Sequence, residues 1–219
     1  MTIAGIARLV PKIEGHASAS FKKSLSLFSN GTVISALFLS LFWIMGYYAV
    51  YTYLTPFLIN NVYMDTTMIS VVLLILGVFS MIGSRFGGYS SDCFGTTRTL
   101  VLCLLIHALS LICLPLLIGS LMSTVIGLVI WMCAAWMTGP STQTYFVQEV
   151  PESSELALSL NTSVLQLGSA LGAGFGGVVV NSTASTAHNP LIGGCVVILG
   201  LVTALVSFSI RSKVAVESR

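Results

Sequence analysis

Long apolar runs separated by short polar or glycine-rich breaks make up most of this chain. Ser24 to Met64, Thr66 to Ser84, Thr99 to Gln148 and Leu156 to Ile210 contain no Asp, Glu, Lys or Arg. Each such stretch can hold one or two membrane crossings of about 20 residues. Backbone amides without a partner in hydrocarbon are costly, so segments this apolar must cross as helices or close into a barrel. The runs are continuous and lack two-residue alternation, which predicts helices.

The pattern predicts an all-α membrane protein with six transmembrane helices. A serine-rich leader, residues 1–30, is broken by Pro11 and Gly15 and reads as a cytoplasmic segment. The spans fall at about 33–58, 66–86, 99–117, 121–140, 156–180 and 191–210, and a charged tail follows from Arg211 to Arg219. Span one carries Trp43, Tyr47, Tyr48, Tyr51 and Tyr53 before Pro56. The stretch 83–100, GSRFGGYSSDCFGTTRTL, reads as a polar hinge between spans two and three, because Gly, Ser and Asp favour turns.

Composition agrees. The 219 residues are 55% hydrophobic and 7% charged, against about a quarter charged in soluble domains. Mean hydropathy is +0.96. These values exclude a soluble globule, and a net charge of +2 is too small to point to nucleic acid. The first 30 residues hold Arg8, Lys12, Lys22 and Lys23 without a long apolar core, so no cleavable signal peptide is expected. With six spans, every Lys and Arg falls on one face of the membrane, which the positive-inside bias makes cytoplasmic, together with both termini.

Candidate chemistry is sparse. Cys93, Cys103, Cys113, Cys133 and Cys195 lack metal-ligand spacing and read as small apolar fillers, and no metal or cofactor is expected. No nucleotide loop or catalytic triad is present, so an enzyme is not expected. None of the predicted spans carries Asp, Glu, Lys or Arg near its middle, where such residues mark ion pathways. His107 is the one basic side chain expected at mid-depth; it reads either as a proton relay or as a neutral, hydrogen-bonded residue.

Gly168, Gly172 and Gly176, with Gly177 beside them, place small residues on one helix face for close packing, a surface on which helices can also slide. Tyr47, Tyr51, Gln143, Asn161 and Gln166 offer hydrogen bonds near membrane depth. They read either as a substrate cavity or as links between helices. Sequons begin at Asn30, Asn161 and Asn181, and only the last is expected outside the cell.

Gly88-Tyr89-Ser90-Ser91-Asp92-Cys93-Phe94-Gly95, followed by Arg98, resembles the major facilitator superfamily loop signature G-x-x-x-D-R-x-G between the second and third helices of each six-helix half. Residues 51–58, YTYLTPFL, resemble the seventh helix of bacterial drug:proton antiporters, a group that includes sugar and nucleoside exporters. Residues 159–163, SLNTS, leading into the glycines, resemble the eleventh. Cys93 stands where the signature prefers arginine, and Thr96 and Thr97 replace its basic pair.

The resemblance covers essentially the whole chain and implies half of a twelve-helix fold, the C-terminal half, with the leader as the end of the central loop. It implies proton-coupled efflux of a drug, sugar or nucleoside across the bacterial inner membrane by alternating access. Gly88, Asp92, Gly95 and Arg98, with Arg85, would form the cytoplasmic gate; Tyr47, Tyr51, Asn161 and Gln166 would line the cavity. The expected partners are lipid, substrate, protons, and a complementary N-terminal half or a second copy. The same residues also fit a truncated or split-gene fragment inactive alone, or a non-transporting membrane interaction subunit.

Overall fold

The computed structural model describes residues 30–217, with side chains to residue 209; the leader at 1–29 lies outside the described residues. Asn30, one of the sequon asparagines, caps α1 (Gly31–Tyr51). Its side-chain oxygen accepts from the Thr32 and Val33 amides at 3.0 and 3.4 Å, pairing donors that a helix start leaves free. The first predicted span is divided at Thr52 and Tyr53, and α2 (Leu54–Val62) follows. Pro56 lies in the first turn of α2, where a missing amide hydrogen is tolerated. Tyr63, at φ 57°, ends α2, and Asp65 caps α3 (Thr66–Phe94) by accepting from the Met68 amide at 2.8 Å.

The remaining elements are α4 (Thr96–Cys113) with a 3₁₀ turn at Leu114–Leu117, α5 (Leu121–Glu149), α6 (Ser154–Thr183) and α7 (Asn189–Glu217). Six of these helices are long and apolar enough to cross a membrane, as the hydrophobic pattern predicts. All but α2 qualify.

Their packing has an internal order. α1 packs on α6 and α7, while α5 packs on α3 and α4; α4 and α7 meet, and α1 touches α5 at the centre. Thus the first helix of each group of three packs on the second and third helices of the other group. The outermost helices, α3 and α6, make no substantial contact with each other. Only 22% of the most apolar window is buried in each of them, against 61% in α1, so these two border the open side of the bundle. Between them the core is filled by Leu39, Leu104, Leu111, Leu128 and Trp131, all fully buried.

The main correction concerns the polar stretch at 83–100. It does not form a loop: α3 runs through Gly88 and Asp92 to Phe94, and the connection to α4 is the single residue Gly95, at φ 89°. Gly83, Gly87 and Ser91, four residues apart, share the α3 face that meets α5. A Cβ on Gly83 would stand 2.6 Å from the Cys133 carbonyl oxygen, and one on Gly87 2.8 Å from the Met137 Cα. Ser91 donates to the Ser141 hydroxyl at 2.9 Å, and Ser141 donates to the Gly87 carbonyl at 3.2 Å. Residues that signal a turn in water here let two helix backbones approach, as small residues do in membranes.

Three other expected boundaries also move outward. α5 continues through Pro140 to Glu149, and α6 spans Ser154–Thr183, so Asn181 lies exposed in its last turn. The charged tail expected after Ile210 is helical through Glu217.

The opposite interface repeats the device. Gly168, Gly172 and Gly176 of α6 lie against Leu41, Met45 and Ala49 of α1, and Gly177 lies against the Tyr53 hydroxyl. Gly46 and Gly193 oppose each other between α1 and α7.

At the Tyr63 end, side chains tie the elements together. Asn189 donates to the Ala49 carbonyl at 2.9 Å and the Gly176 carbonyl at 3.4 Å, Tyr53 to the Ala173 carbonyl at 3.0 Å, and Asn61 to the Thr186 hydroxyl at 2.8 Å. Buried Asn189 therefore bridges α7, α1 and α6 near the end of α1, where helix carbonyls run out of amide donors. Asn189→Ala is expected to cost on the order of 1 kcal/mol, read as a lower unfolding midpoint in detergent. An unchanged midpoint would refute the bridge.

Candidate functional site

Around the contact of α1 with α5, on the open side, lies a cavity of about 270 Å³. α1 contributes Trp43, Ile44, Tyr47 and Tyr48; α5 contributes Ala135, Trp136, Gly139, Pro140 and Gln143. Ser84 of α3 and Leu165 of α6 complete the wall. The geometry follows from helical spacing: Trp43 and Tyr47 are one turn apart on α1, and Trp136, Pro140 and Gln143 recur at i, i+4 and i+7 on α5. Pro140 has no amide hydrogen to return to the preceding turn, so α5 is locally short of one bond beside the cavity.

Tyr47 is the hub of the wall. Its ring stacks on Tyr51 at 5.1 Å and on Trp131 at 5.3 Å, and meets Tyr48 and Trp136 edge-on at 5.3 and 6.3 Å. The Trp136 indole donates to the Tyr47 hydroxyl at 3.4 Å, and that hydroxyl donates to the Met132 sulfur at 3.5 Å. Behind this ring, His107 stands 6.5 Å from both Tyr47 and Trp131, fully buried. Neither imidazole nitrogen has a hydrogen-bond partner among the described residues, nor has the Trp131 indole nitrogen.

The sequence candidates separate. Tyr47 lines the cavity, while Tyr51 continues the stack one turn on and is exposed. Asn161 is buried on the α6 face that carries Gly168 and Gly172, its side-chain oxygen unpartnered. Gln166 is exposed and does not line the cavity. Five residues rotate a helix by about 140°, so Asn161 and Gln166 cannot share a face. Trp43, Tyr48, Trp136 and Ser84 are cavity residues that sequence reasoning did not select. The aromatic repeat at 43, 47 and 51 carried a signal for Trp43 alone.

At the Gly95 end, Gly88 lies within α3, and Asp92 and Arg98 are exposed. Thr96 donates to the Gln148 side-chain oxygen at 3.0 Å, linking α4 to α5. Arg85 is elsewhere. The register that sets Gly83 on Cys133 and Gly87 on Met137 places Arg85 level with Ala135, the middle residue of α5. Arg85 therefore lies inside a helix and not at its end, because α3 continues nine residues beyond it, about 13 Å of helix. Arg85 borders a second hollow, of about 510 Å³, that shares Ser84 and Trp136 with the aromatic cavity.

Comparison with known proteins fits six membrane helices around an open cavity. The family model of the Major Facilitator Superfamily matches residues 3–173. The chain belongs to this superfamily. Among superfamily relatives, an uncharacterized MFS-type transporter of Bacillus subtilis, YbcL, is 37% identical over 208 residues, covering 95% of the chain and 53% of the relative. The inner membrane transport protein YdhP of Escherichia coli K12 is 28% identical over 206 residues, covering 93% of the chain and 52% of the relative. The chain spans about half the length of the curated relatives it matches. Both relatives are named as transport proteins.

Proposed function

We propose that the chain supplies the C-terminal half of a twelve-helix exporter that moves a small molecule across the bacterial inner membrane by alternating access, driven by protons. The observation that carries this reading is the cavity between α1 and α5, open on the side bordered by α3 and α6. One six-helix bundle offers one wall of a central site, and a second bundle on the open side would complete it. The relatives' greater length and the naming of the E. coli relative as an inner membrane transport protein support the same reading.

In this proposal Tyr47, Tyr48, Trp136 and Gln143 contact the substrate, and Tyr51 lies at the cavity's edge. Asn161 acts through the α1–α6 interface, and Gln166 faces the complementary bundle. Asp92, Gly88, Gly95 and Arg98 form the gate at a cytoplasmic Gly95 end, where the carboxylate would meet a helix N-terminus of the other half. His107 holds the coupling proton behind Tyr47. The packed glycines of α6 let it rock against α1 with little resistance.

Vesicles containing the chain together with a candidate first half are expected to show proton-driven movement of a reporter substrate, and vesicles with either part alone to show none. Transport by the isolated chain would replace the complementary-half reading with a self-sufficient assembly of copies. Co-purification of the halves without transport would favour an interaction subunit.

A further inference from the structure

We infer that the cavity selects an aromatic organic anion, a flat apolar body carrying a carboxylate, and that Arg85 reads the charge. The inference rests on the proposal that this cavity holds substrate. Trp43, Tyr47 and Trp136 give the cavity aromatic surfaces suited to a flat ring. Polar side chains among its described lining residues are few: Ser84, Tyr48 and Gln143, with the Tyr47 hydroxyl and Trp136 indole engaging each other and the Trp43 indole nitrogen buried without a partner. A sugar, which presents a hydroxyl on nearly every carbon, would leave most of its hydrogen-bonding groups unmatched.

Charge then narrows the class. Arg85 is exposed beside Ser84 and Trp136, in the hollow that adjoins the aromatic cavity. Among the described residues, no Asp or Glu lines either hollow. The described acids Asp65, Asp92, Glu149, Glu152 and Glu155 lie at or near helix ends.

A cation within a membrane-crossing helix is costly unless it faces protein, water or a partner charge, so a guanidinium bordering a hollow is placed to meet a charge there. Aromatic faces alone favour a cation by a few-fold. A guanidinium that forms charge-assisted bonds to a carboxylate outweighs that preference, at about tenfold or more, and it repels a cation as well. The balance therefore falls to the anion.

The test compares three naphthalenes, carrying a carboxylate, a hydroxymethyl or a trimethylammonium group, by equilibrium dialysis against the chain in lipid nanodiscs with empty discs subtracted. The carboxylate is expected to bind about tenfold more tightly than the cation. Arg85→Gln should remove that preference while leaving the neutral probe's Kd and the helical circular dichroism unchanged, and Arg85→Lys should retain part of it.

A preference that survives Arg85→Gln overturns the inference, as does a variant that weakens all three probes equally, which would assign Arg85 to cavity shape. A preference that disappears when a candidate first half is co-reconstituted overturns it too, because the guanidinium then serves a carboxylate of that half. If the neutral probe binds and no charge preference exists, the inference fails and the cavity reading stands. If no probe binds, both fail.

Discussion

Gly172→Leu is expected to abolish stable folding of the six-helix bundle, whereas Gly174→Leu, two residues away on the same helix, is expected to be tolerated. At Gly172 even a Cβ would stand 3.0 Å from the Met45 Cα and 3.0 Å from the Tyr48 Cβ, and closer still to the Met45 carbonyl oxygen. Two of those neighbours are backbone and cannot rotate away. At Gly174 a Cβ meets nothing within 4 Å.

Hydrophobic association does not hold helices together in lipid, so α6 stays on α1 through close contact over the glycine face, and separating the backbones removes that contact along the whole interface. Overpacking by a single methyl, Gly172→Ala, is expected to cost about 1–3 kcal/mol; a leucine adds three further carbons with no space to occupy. Unfolding in mixed detergent, followed by circular dichroism, gives the order wild type and Gly174→Leu first, then Gly172→Ala, then Gly172→Leu. Equal midpoints for the two leucine variants would show that the glycine face does not hold α6.

The contrast between these glycines also shows what was legible in the sequence. Number, order and approximate position of the six crossings follow from hydropathy, because only long apolar helices satisfy the backbone in hydrocarbon. Helix lengths did not follow. Gly87, Gly88, Ser90, Ser91 and Asp92 carry turn propensities that reflect backbone freedom and competition from water and local side-chain bonds, and Pro140 carries a helix-breaking signal from its missing amide hydrogen and its ring. Between packed membrane helices the competition is weak, and the helices continue.

The candidate site was legible in part for a different reason. Tyr47 and Gln143 could be named from polarity at depth, but the cavity joins residues from four helices, and no local pattern pairs Trp43 with Trp136 or Ser84. The position of Arg85 inside a helix was hidden for the first reason. A span thought to end at Phe86 puts its guanidinium at the membrane face; a helix that ends at Phe94 puts it beside the cavity.

Tyr47→Ala is the substitution expected to join cavity and core. The Tyr47 ring lies between the cavity and His107 and contacts five neighbouring rings, those of Tyr48, Tyr51, His107, Trp131 and Trp136. Truncating a buried aromatic side chain costs about 3–5 kcal/mol when the site cannot collapse, and collapse here is opposed by the stiff, fully buried Trp131 indole on α5. Tyr47→Phe keeps the ring and removes only the hydroxyl that Trp136 and Met132 share, a loss of about 1 kcal/mol.

The two variants therefore separate packing from hydrogen bonding, with thermal midpoints falling far more for alanine than for phenylalanine. The alanine variant has a second signature. With the ring gone, His107 is open to the cavity and should be carbethoxylated by diethyl pyrocarbonate, while in the native chain and in Tyr47→Phe it should stay protected; peptide mapping distinguishes it from His16 and His188. Modification of His107 in the native chain at the alanine variant's rate would mean that Tyr47 does not seal it. The imidazole would then lie directly on the transport path, and its proposed role behind the wall would have to be abandoned.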